Sequence, residues 1–398
     1  MLNETMAKSM EIGKWKICLV HDWLLNTGGA EKTLKVLHEL YPEAPIYTFF
    51  HNPKFTKEFL PGADIRPSFL QKYYQFTRRH RWLLPFLPIA IESFDLSAYD
   101  LVISSSVGFS KGLITKPQTK HICYCYSPTR WLWDWQSEYR KEHPGWGVAI
   151  LQHFLRLWDH SAAGRVDQFI AISKTARERI KKYYQAEAKV IYPPVDRLES
   201  GIMNYELGIQ KKNPDHDSLF LIPNSYFLIV SRLYSFKNIA IAIEAFNKLK
   251  LPLVIIGQGP QYKKLKKLIA DPNLIQLLGF VPDSELSAYY QAARAFIMPQ
   301  EEDFGLTAIE AMDFGKPVLA LRRGGTLEYI MPGINGEYFD DPLPEILADG
   351  VRRLNENYKN YSPLVIKKAV ERFSRRRFEK EIGELVSSSI PTNTTSWK

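Results

Sequence analysis

The chemistry-bearing residues of this chain are densest in EEDFGLTAIEAMDFGKPVLA, 301–320, where Glu302 and Glu310 are separated by seven residues. Asp303-Phe304-Gly305 reads as a turn and Leu306 onward as a helix to about residue 314. Glu302 then lies in the loop above the helix and Glu310 one turn inside it. The amides of Phe304, Gly305, Leu306 and Thr307 form a helix N-terminus, a natural seat for a phosphate. Gly305 lets a ligand approach the backbone closely. Acidic residues near a helix start are also favoured by the macrodipole with no ligand present, so this run alone leaves both readings open. A second cluster lies upstream, where YFLIVSRL runs into YSFKN and brings Arg232 and Lys237 into one loop. Arginine grips a diphosphate as a fork and lysine as a point charge, each charge-assisted contact contributing about 1.5–3 kcal/mol. Either cation singly reads as part of a solvated basic loop.

These loops need strands to hold them, and the chain alternates β-rich runs with helical ones. KICLVHDW (16–23) is followed by the loop LLNTGG and the helix AEKTLKVLHEL; DLVISSS (100–106), HICYCYS (121–127), DQFIAIS (167–173) and AKVIYPP (188–194) continue the pattern. The polar, poorly periodic stretch 197–218 reads as a linker. The alternation restarts with YFLIVSRL, LPLVIIGQG, LIQLLGF, AFIMPQ and PVLAL, each pair bridged by helical sequence. Five strands per half, alternating with helices, predict two α/β domains with parallel sheets covered on both faces, facing each other across a cleft. The expected boundaries are 1–196 for the first domain, 197–218 for the linker, 219–372 for the second domain and 373–398 for a last helix and tail. In that helix, Ser374-Arg375-Arg376-Arg377 reads as a solvated basic face.

Length and composition agree with this layout. The chain of 398 residues suits two or three domains, and its 45% apolar and 24% charged content excludes wholesale disorder, collagen-like and disulfide-scaffold classes. A formal charge of +9 favours anionic partners: nucleic acid, an acidic membrane surface or phosphorylated ligands. Cys18, Cys123 and Cys125 all lie in apolar runs and read as buried thiols of a reducing compartment. The first residues lack the apolar core of a signal peptide, and the longest apolar stretch, 82–91, is broken by Pro85 and Pro88. The expectation is a cytosolic protein, or one that lies on a membrane without crossing it.

VSRLYSFKN, IIGQGP and EDFGLTAIEAMDFGKPVLA with the following GGTLEYI resemble the donor half of a retaining glycosyltransferase of family four, which has the GT-B fold. VHDWLLNTGGAEKTL, ISSS, CYSPTRWLWD and VIYPPVD resemble the bacterial surface-polysaccharide members of the same family, so the resemblance runs from about 16 to 380. It implies that Arg232 and Lys237 grip the donor diphosphate and neutralise the departing nucleoside diphosphate. Glu310 would bond the ribose hydroxyls and Glu302 the donor sugar, while Phe304, Gly305, Leu306 and Thr307 supply backbone amides. Gly28 and Gly29 would form a glycine loop closing over the donor, and the Gly257–Gly259 loop would lie beside the nucleotide. The last helix would cross back to the first domain. The resemblance also implies retention, with the leaving phosphate taking the acceptor proton; His21 as a general base is the inverting alternative. Many relatives carry histidines where this chain has Ser104 to Ser106 and Tyr126. Ser105, Tyr126 and His21 are therefore the sugar-side or acceptor-side candidates, and sugar choice stays open. UDP-glucose and GDP-mannose are the leading donors.

Other chemistries fit less well. Gly257-Gln258-Gly259 begins a dinucleotide fingerprint, but its third glycine would fall at Tyr262. TGGAEKT lacks the glycine that precedes the lysine of a phosphate-binding loop. Asp215-His216-Asp217 falls in the linker and reads as surface charge, so neither metal nor cofactor is expected. A nucleotide-sugar epimerase and a non-catalytic sugar-nucleotide binding protein of the same fold remain as alternatives, although the acid/base carboxylates of an epimerase are not identifiable.

Residues 65–91 contain no Asp or Glu but hold Arg66, Lys72, Arg78, Arg79 and Arg81, interleaved with Phe69, Tyr73, Tyr74, Phe76, Trp82 and Phe86. Such a stretch suits a membrane interface, where cations meet anionic headgroups and rings sit at the boundary. Lys72, Arg78, Arg79, Arg81 and Trp82 are the expected membrane face; a helix packed on the first domain with its basic side in water is the plainer reading. The expected partners are a nucleoside-diphosphate sugar, a saccharide or lipid-linked saccharide acceptor and the inner face of the plasma membrane. No nucleic-acid motif accompanies the stretch.

Overall fold

ICLVHDWL forms strand β1 (Ile17–Leu24), in which all but one side chain is buried, as a parallel strand covered on both faces requires. The computed structural model describes residues 15–77, 80–195 and 226–389. The expected linker, Asp215-His216-Asp217, Arg78, Arg79 and the side chain of Arg81 lie outside the described residues. The chain divides into two units, one running to Pro194 and resuming at Arg375, the other Val195 to Ser374.

The first unit adds β2 (Ile46–His51), β3 (Ile65–Pro67), β4 (Leu101–Ser106), β5 (Lys120–Cys125), β6 (Gln168–Ala171) and β7 (Ala188–Val190). Its sheet is parallel throughout in the order β3-β2-β1-β4-β5-β6-β7. The second unit holds β8 (Tyr226–Val230), β9 (Leu253–Ile256), β10 (Ile275–Gly279), β11 (Ala293–Met298), β12 (Val318–Leu321) and β13 (Gly336–Phe339). It is parallel as well, in the order β10-β9-β8-β11-β12-β13. Both sheets wind outward from a first central strand and then reverse, between β1 and β4 in one and β8 and β11 in the other. The carboxyl ends of the strands at such a reversal are where doubly wound sheets place their ligands.

Seven and six strands replace the five and five expected from sequence. β3 and β13 are edge strands of three and four residues, too short to display a period of two. β2, IYTFFH, runs with one intervening residue into the helix Pro53–Phe59 and is defined by its pairing with β1 rather than by its flanks.

The last helix, Arg375–Ser389, belongs to the first unit. Its basic run is a solvated face only in part: Arg376 is exposed, but Arg375 pairs with Glu39, and Arg377 donates to the Tyr192 carbonyl at 2.8 Å. Phe378 packs edge-on against Tyr124 at 5.6 Å. Segment 65–91 folds as the helix Leu70–Thr77, a 3-10 turn His80–Phe86 and the helix Leu87–Glu92. Leu70, Leu83, Leu87, Ala90 and Ile91 enter the core, while Phe76 is 91% and Trp82 64% exposed. Of its cations, Lys72 is exposed, whereas Arg66 is bonded to Asp64 and to the hydroxyls of Tyr47 and Tyr99. Among the described residues, no helix is long and apolar enough to cross a membrane. Cys18, Cys123 and Cys125 are buried free thiols.

One buried group makes stability depend on pH. His121, on β5, is fully enclosed, with Nε2 2.8 Å from the Ser104 hydroxyl. Burial pushes its imidazole down to about 4, the nearby Asp167 charge opposing only in part. A histidine depressed below its ordinary 6.5 contributes stability that is complete above pH 6.5 and is lost as pH falls towards 4. His38 and His51, also lowered chiefly by burial, act in the same direction. Denaturant titrations from pH 7 to pH 4 should show a loss on the order of 3 kcal/mol attributable to His121. A His121→Gln variant should show a correspondingly flatter profile; an unchanged slope would refute the assignment.

Candidate functional site

The second unit gathers Arg232, Lys237 and Glu302 at its sheet reversal. Arg232 and Lys237 follow β8 and Glu302 follows β11, the two strands between which the order reverses. Lys237 donates to Glu302 Oε1, with the two side chains 7% and 25% exposed. Gln300 Nε2 donates to the same oxygen at 2.9 Å. Burial acts to raise the Glu302 carboxyl, but the Lys237 charge and hydrogen bond, Gln300 and the Arg232 charge outweigh it and hold the group below its usual range. The result is a cationic loop whose lysine is already oriented by a carboxylate.

Two backbone approaches fix these loops. A Cβ on Gly257 would lie 1.8 Å from the Ser231 carbonyl oxygen and one on Gly259 2.5 Å from that of Leu233. Both glycines therefore let the loop after β9 press against the loop that carries Arg232, which is their immediate structural reason. On the other side, Gly325 N–H donates to the Glu302 carbonyl at 2.8 Å, and Glu302 and Gly324 form a parallel bridge.

Gly305 caps the helix Leu306–Asp313 with φ 91°, a left-handed conformation that favours glycine, and a Cβ there would sit 2.7 Å from the Tyr329 hydroxyl. That hydroxyl donates to the Phe304 carbonyl at 2.9 Å, and the Phe304 ring is buried against Tyr329 and Phe373. Leu306 and Thr307 open the helix, whose first-turn N–H groups have no intrahelical acceptor. Glu310 lies in the second turn, nearly buried, and accepts a 2.9 Å hydrogen bond from Tyr290.

The first unit has its own cluster at the β1/β4 reversal. His21 is buried, with Nδ1 3.0 Å from the Ser105 carbonyl oxygen and 3.1 Å from its hydroxyl, and Nε2 3.7 Å from Glu31. The carbonyl contact assigns a hydrogen to Nδ1. Ser105 Oγ is 3.0 Å from the Tyr126 hydroxyl, which donates to the Ala30 carbonyl at 3.0 Å. His21, Ser105 and Tyr126 thus form one hydrogen-bonded set against the start of the helix Gly29–Leu40. Gly28 is the cap of that helix in an extended conformation, and Gly29 is its first residue.

Asp22, beside His21 on β1, is not among the residues singled out from the sequence. Its buried carboxylate accepts the N–H groups of Val107, Gly108, Phe109 and Ser110 at 2.6–3.0 Å, fixing the whole turn after β4. An acid next to a histidine inside an apolar run was the available signal. Gln300, Tyr290 and Tyr329 are likewise not among those residues, although Gln300 ends the strand run AFIMPQ and Tyr329 lies in GGTLEYI. Among the described residues, no group of three or more His, Cys, Asp or Glu side chains could hold a metal ion.

Two parallel sheets that reverse at matching places, the second with cations and a carboxylate at its reversal, are of the GT-B class. A profile described as "Glycosyl transferases group 1" matches residues 216–371, and one described as "Glycosyltransferase Family 4" matches residues 27–197. The chain belongs to glycosyltransferase family 4. It is 27% identical over 194 residues to an uncharacterised glycosyltransferase of Methanocaldococcus jannaschii, covering 48% of this chain and 50% of that protein. It is 30% identical over 154 residues to the amylovoran biosynthesis glycosyltransferase AmsK of Erwinia amylovora, covering 35% of this chain and 38% of the relative. The matched region thus spans about half the length, or less, of these relatives. Anabaena HepE, solved in complex with UDP-glucose, superposes with a TM-score of 0.66 at 19% identity, covering 94% of this chain and 99% of HepE.

Proposed function

We propose that this chain transfers a hexose from a nucleoside-diphosphate sugar to a saccharide acceptor, with retention of anomeric configuration and without a metal ion. The observation that carries the reading is the grouping of Arg232, Lys237 and Glu302 at the carboxyl ends of β8 and β11, beside the start of the 306–313 helix. In the reaction the bond between the sugar's anomeric carbon and the diphosphate oxygen breaks, and a bond to the acceptor oxygen forms on the same face. The acceptor's proton passes to the departing phosphate. The charge that develops on that phosphate is what preorganised cations and helix-terminal N–H groups stabilise. Arg232 and Lys237 take this role, with Glu302 orienting Lys237 and reaching the sugar. Glu310 bonds the ribose, and the N–H groups from Phe304 to Thr307 meet phosphate and sugar oxygens. Gly257 and Gly259 shape the loop beside the nucleotide.

In the first unit, His21, Ser105 and Tyr126 serve the sugar or the acceptor, and Gly28 and Gly29 bind the donor. The burial of His21 and its contacts with Ser105 and Glu31 favour a positioning role over that of a base. UDP-glucose leads GDP-mannose as donor, a choice consistent with UDP-glucose in HepE. The acceptor is lipid-linked, and the protein works on the cytoplasmic side of the plasma membrane. The acid-free segment 65–91 meets the headgroups with exposed Phe76 and Trp82.

The test is turnover of a panel of nucleotide sugars, followed by NMR of the product's anomeric centre. An α-linked donor should give an α-glycoside. A β-product would overturn retention. Epimerised donor would favour the epimerase, and binding without turnover a non-catalytic sugar-nucleotide protein.

A further inference from the structure

The helix Trp146–Ala163 shows an apolar stripe that no described residue of the first unit covers. Trp146, Ile150, Phe154 and Leu157 follow one another at helical spacing and are 82%, 47%, 63% and 57% exposed. The opposite side of the helix is packed: Leu155, with Leu151 and Trp158 at its margin, joins the cluster that also takes Leu83, Leu87, Ala90 and Ile91 from segment 80–92. Trp158 Nε1 donates to Glu92 at 2.8 Å, and a Cβ on Gly112 would collide with the Trp158 ring. The 146–163 helix and the 65–91 segment are therefore neighbouring parts of one packed layer, and each carries exposed aromatic side chains outward.

The charges specify what meets that surface. The only acid in the helix, Asp159, is fully buried and bonded to Lys111 at 2.5 Å, so it adds no negative charge to the exposed side. The exposed polar side chains of the helix are His153, His160 and Ser161. The neighbouring stretch 65–91 has five cationic residues and no acid. The exposed side of the helix carries no acid of its own. Glu138 and Glu142 lie ahead of Trp146 and Glu92 beside Trp158, the last paired with Arg165. The five cations of 65–91 outnumber them, so the surface matches an anionic lipid surface with the helix lying in the interface plane.

We infer that the outward face of the 146–163 helix is a second membrane-docking element, inserted beside segment 65–91 into an anionic bilayer. The inference rests on the membrane reading of that segment and extends it to a helix about 60 residues downstream in the chain. Two docking elements set the orientation of the first unit on the membrane, where a single one would leave it free to pivot.

The test uses the full chain with vesicles of phosphatidylglycerol and phosphatidylcholine, compared with phosphatidylcholine alone, and reads the bound fraction by sedimentation. Ile150→Glu/Phe154→Glu should lower partition to anionic vesicles at least about tenfold, and so should Phe76→Glu/Trp82→Glu. Hydrolysis of donor in solution should be unchanged in both. Phe154→Ser/Leu157→Ser is the milder pair should the charged one misfold, and should lower partition in the same direction. Wild-type partition in both helix variants, with loss in the Phe76/Trp82 variant, would overturn the inference and leave the reading of 65–91 standing. Loss in neither region would overturn both. A helix variant that turns a dimer into a monomer yet binds vesicles normally would make this face a self-association surface and also overturn the inference.

Discussion

Replacing Lys237 by methionine is expected to lower turnover of the nucleotide sugar by about 10²–10³-fold, the usual effect of removing one preorganised group from a developing negative charge. Methionine keeps the unbranched stem and removes the cation, so the loop after β8 retains its packing. The side chain is almost wholly buried and its ammonium is bonded to Glu302. Removing it therefore also leaves a carboxylate without its cation, and a loss of activity could be ascribed to that alone. The double variant Lys237→Met/Glu302→Gln, compared with Glu302→Gln alone because Glu302 itself reaches the sugar, separates the two explanations. If Lys237 served only to neutralise Glu302, the double variant would turn over as fast as Glu302→Gln. If it meets the departing diphosphate, the double variant is far slower than Glu302→Gln while the melting temperature recovers. Near-normal turnover in Lys237→Met itself would remove the site assignment.

The largest effect on stability is expected at Asp159. Its Oδ1 accepts from Lys111 at 2.5 Å and Thr129 at 2.9 Å; its Oδ2 accepts from Trp133 and Tyr184, each at 2.8 Å. Lys111 also donates to the Gly108 carbonyl. Both charged side chains are essentially inaccessible to water. Asp159→Asn keeps the shape but leaves a buried ammonium without its counter-charge and turns an NH₂ group towards donors. Breaking one half of a buried pair costs about 3–5 kcal/mol. Domains are stable by only about 5–15 kcal/mol, so the first unit should lose a large part of its margin. Lys111→Met/Asp159→Asn should cost less than Asp159→Asn alone, because no charge is then left uncompensated. Denaturant unfolding of the two single variants and the double one checks this, and single costs below about 1 kcal/mol would contradict it.

The two predictions differ in how far the sequence foresaw them. Lys237 was legible because it stands in a short loop after an apolar run, a few residues from Arg232, and because VSRLYSFKN resembles a known donor loop. Its contact with Glu302, 65 residues away, was not legible. Asp159 left no usable mark: an aspartate in an amphipathic helix ordinarily faces water, and this one faces inward because Lys111, Thr129, Trp133 and Tyr184 converge on it. Asp22 is similar, with its four N–H partners lying 85–88 residues further on. The three missed strands share a cause, since short or edge strands are recognised by the neighbour they pair with.

By itself the sequence determined the α/β class, most of the central strands, the helix after Gly305 and the candidate cations and carboxylates. These follow from local periodicity, turn residues and side-chain chemistry, which act over a few residues. Tertiary structure alone decided which strand ends stand side by side at the two reversals, and hence which loops share a site. It also decided which acids are consumed inside the fold and which aromatic faces remain outside. In parallel sheets these outcomes depend on pairings between segments tens of residues apart, linked by crossovers whose local sequence does not name the strand they will join.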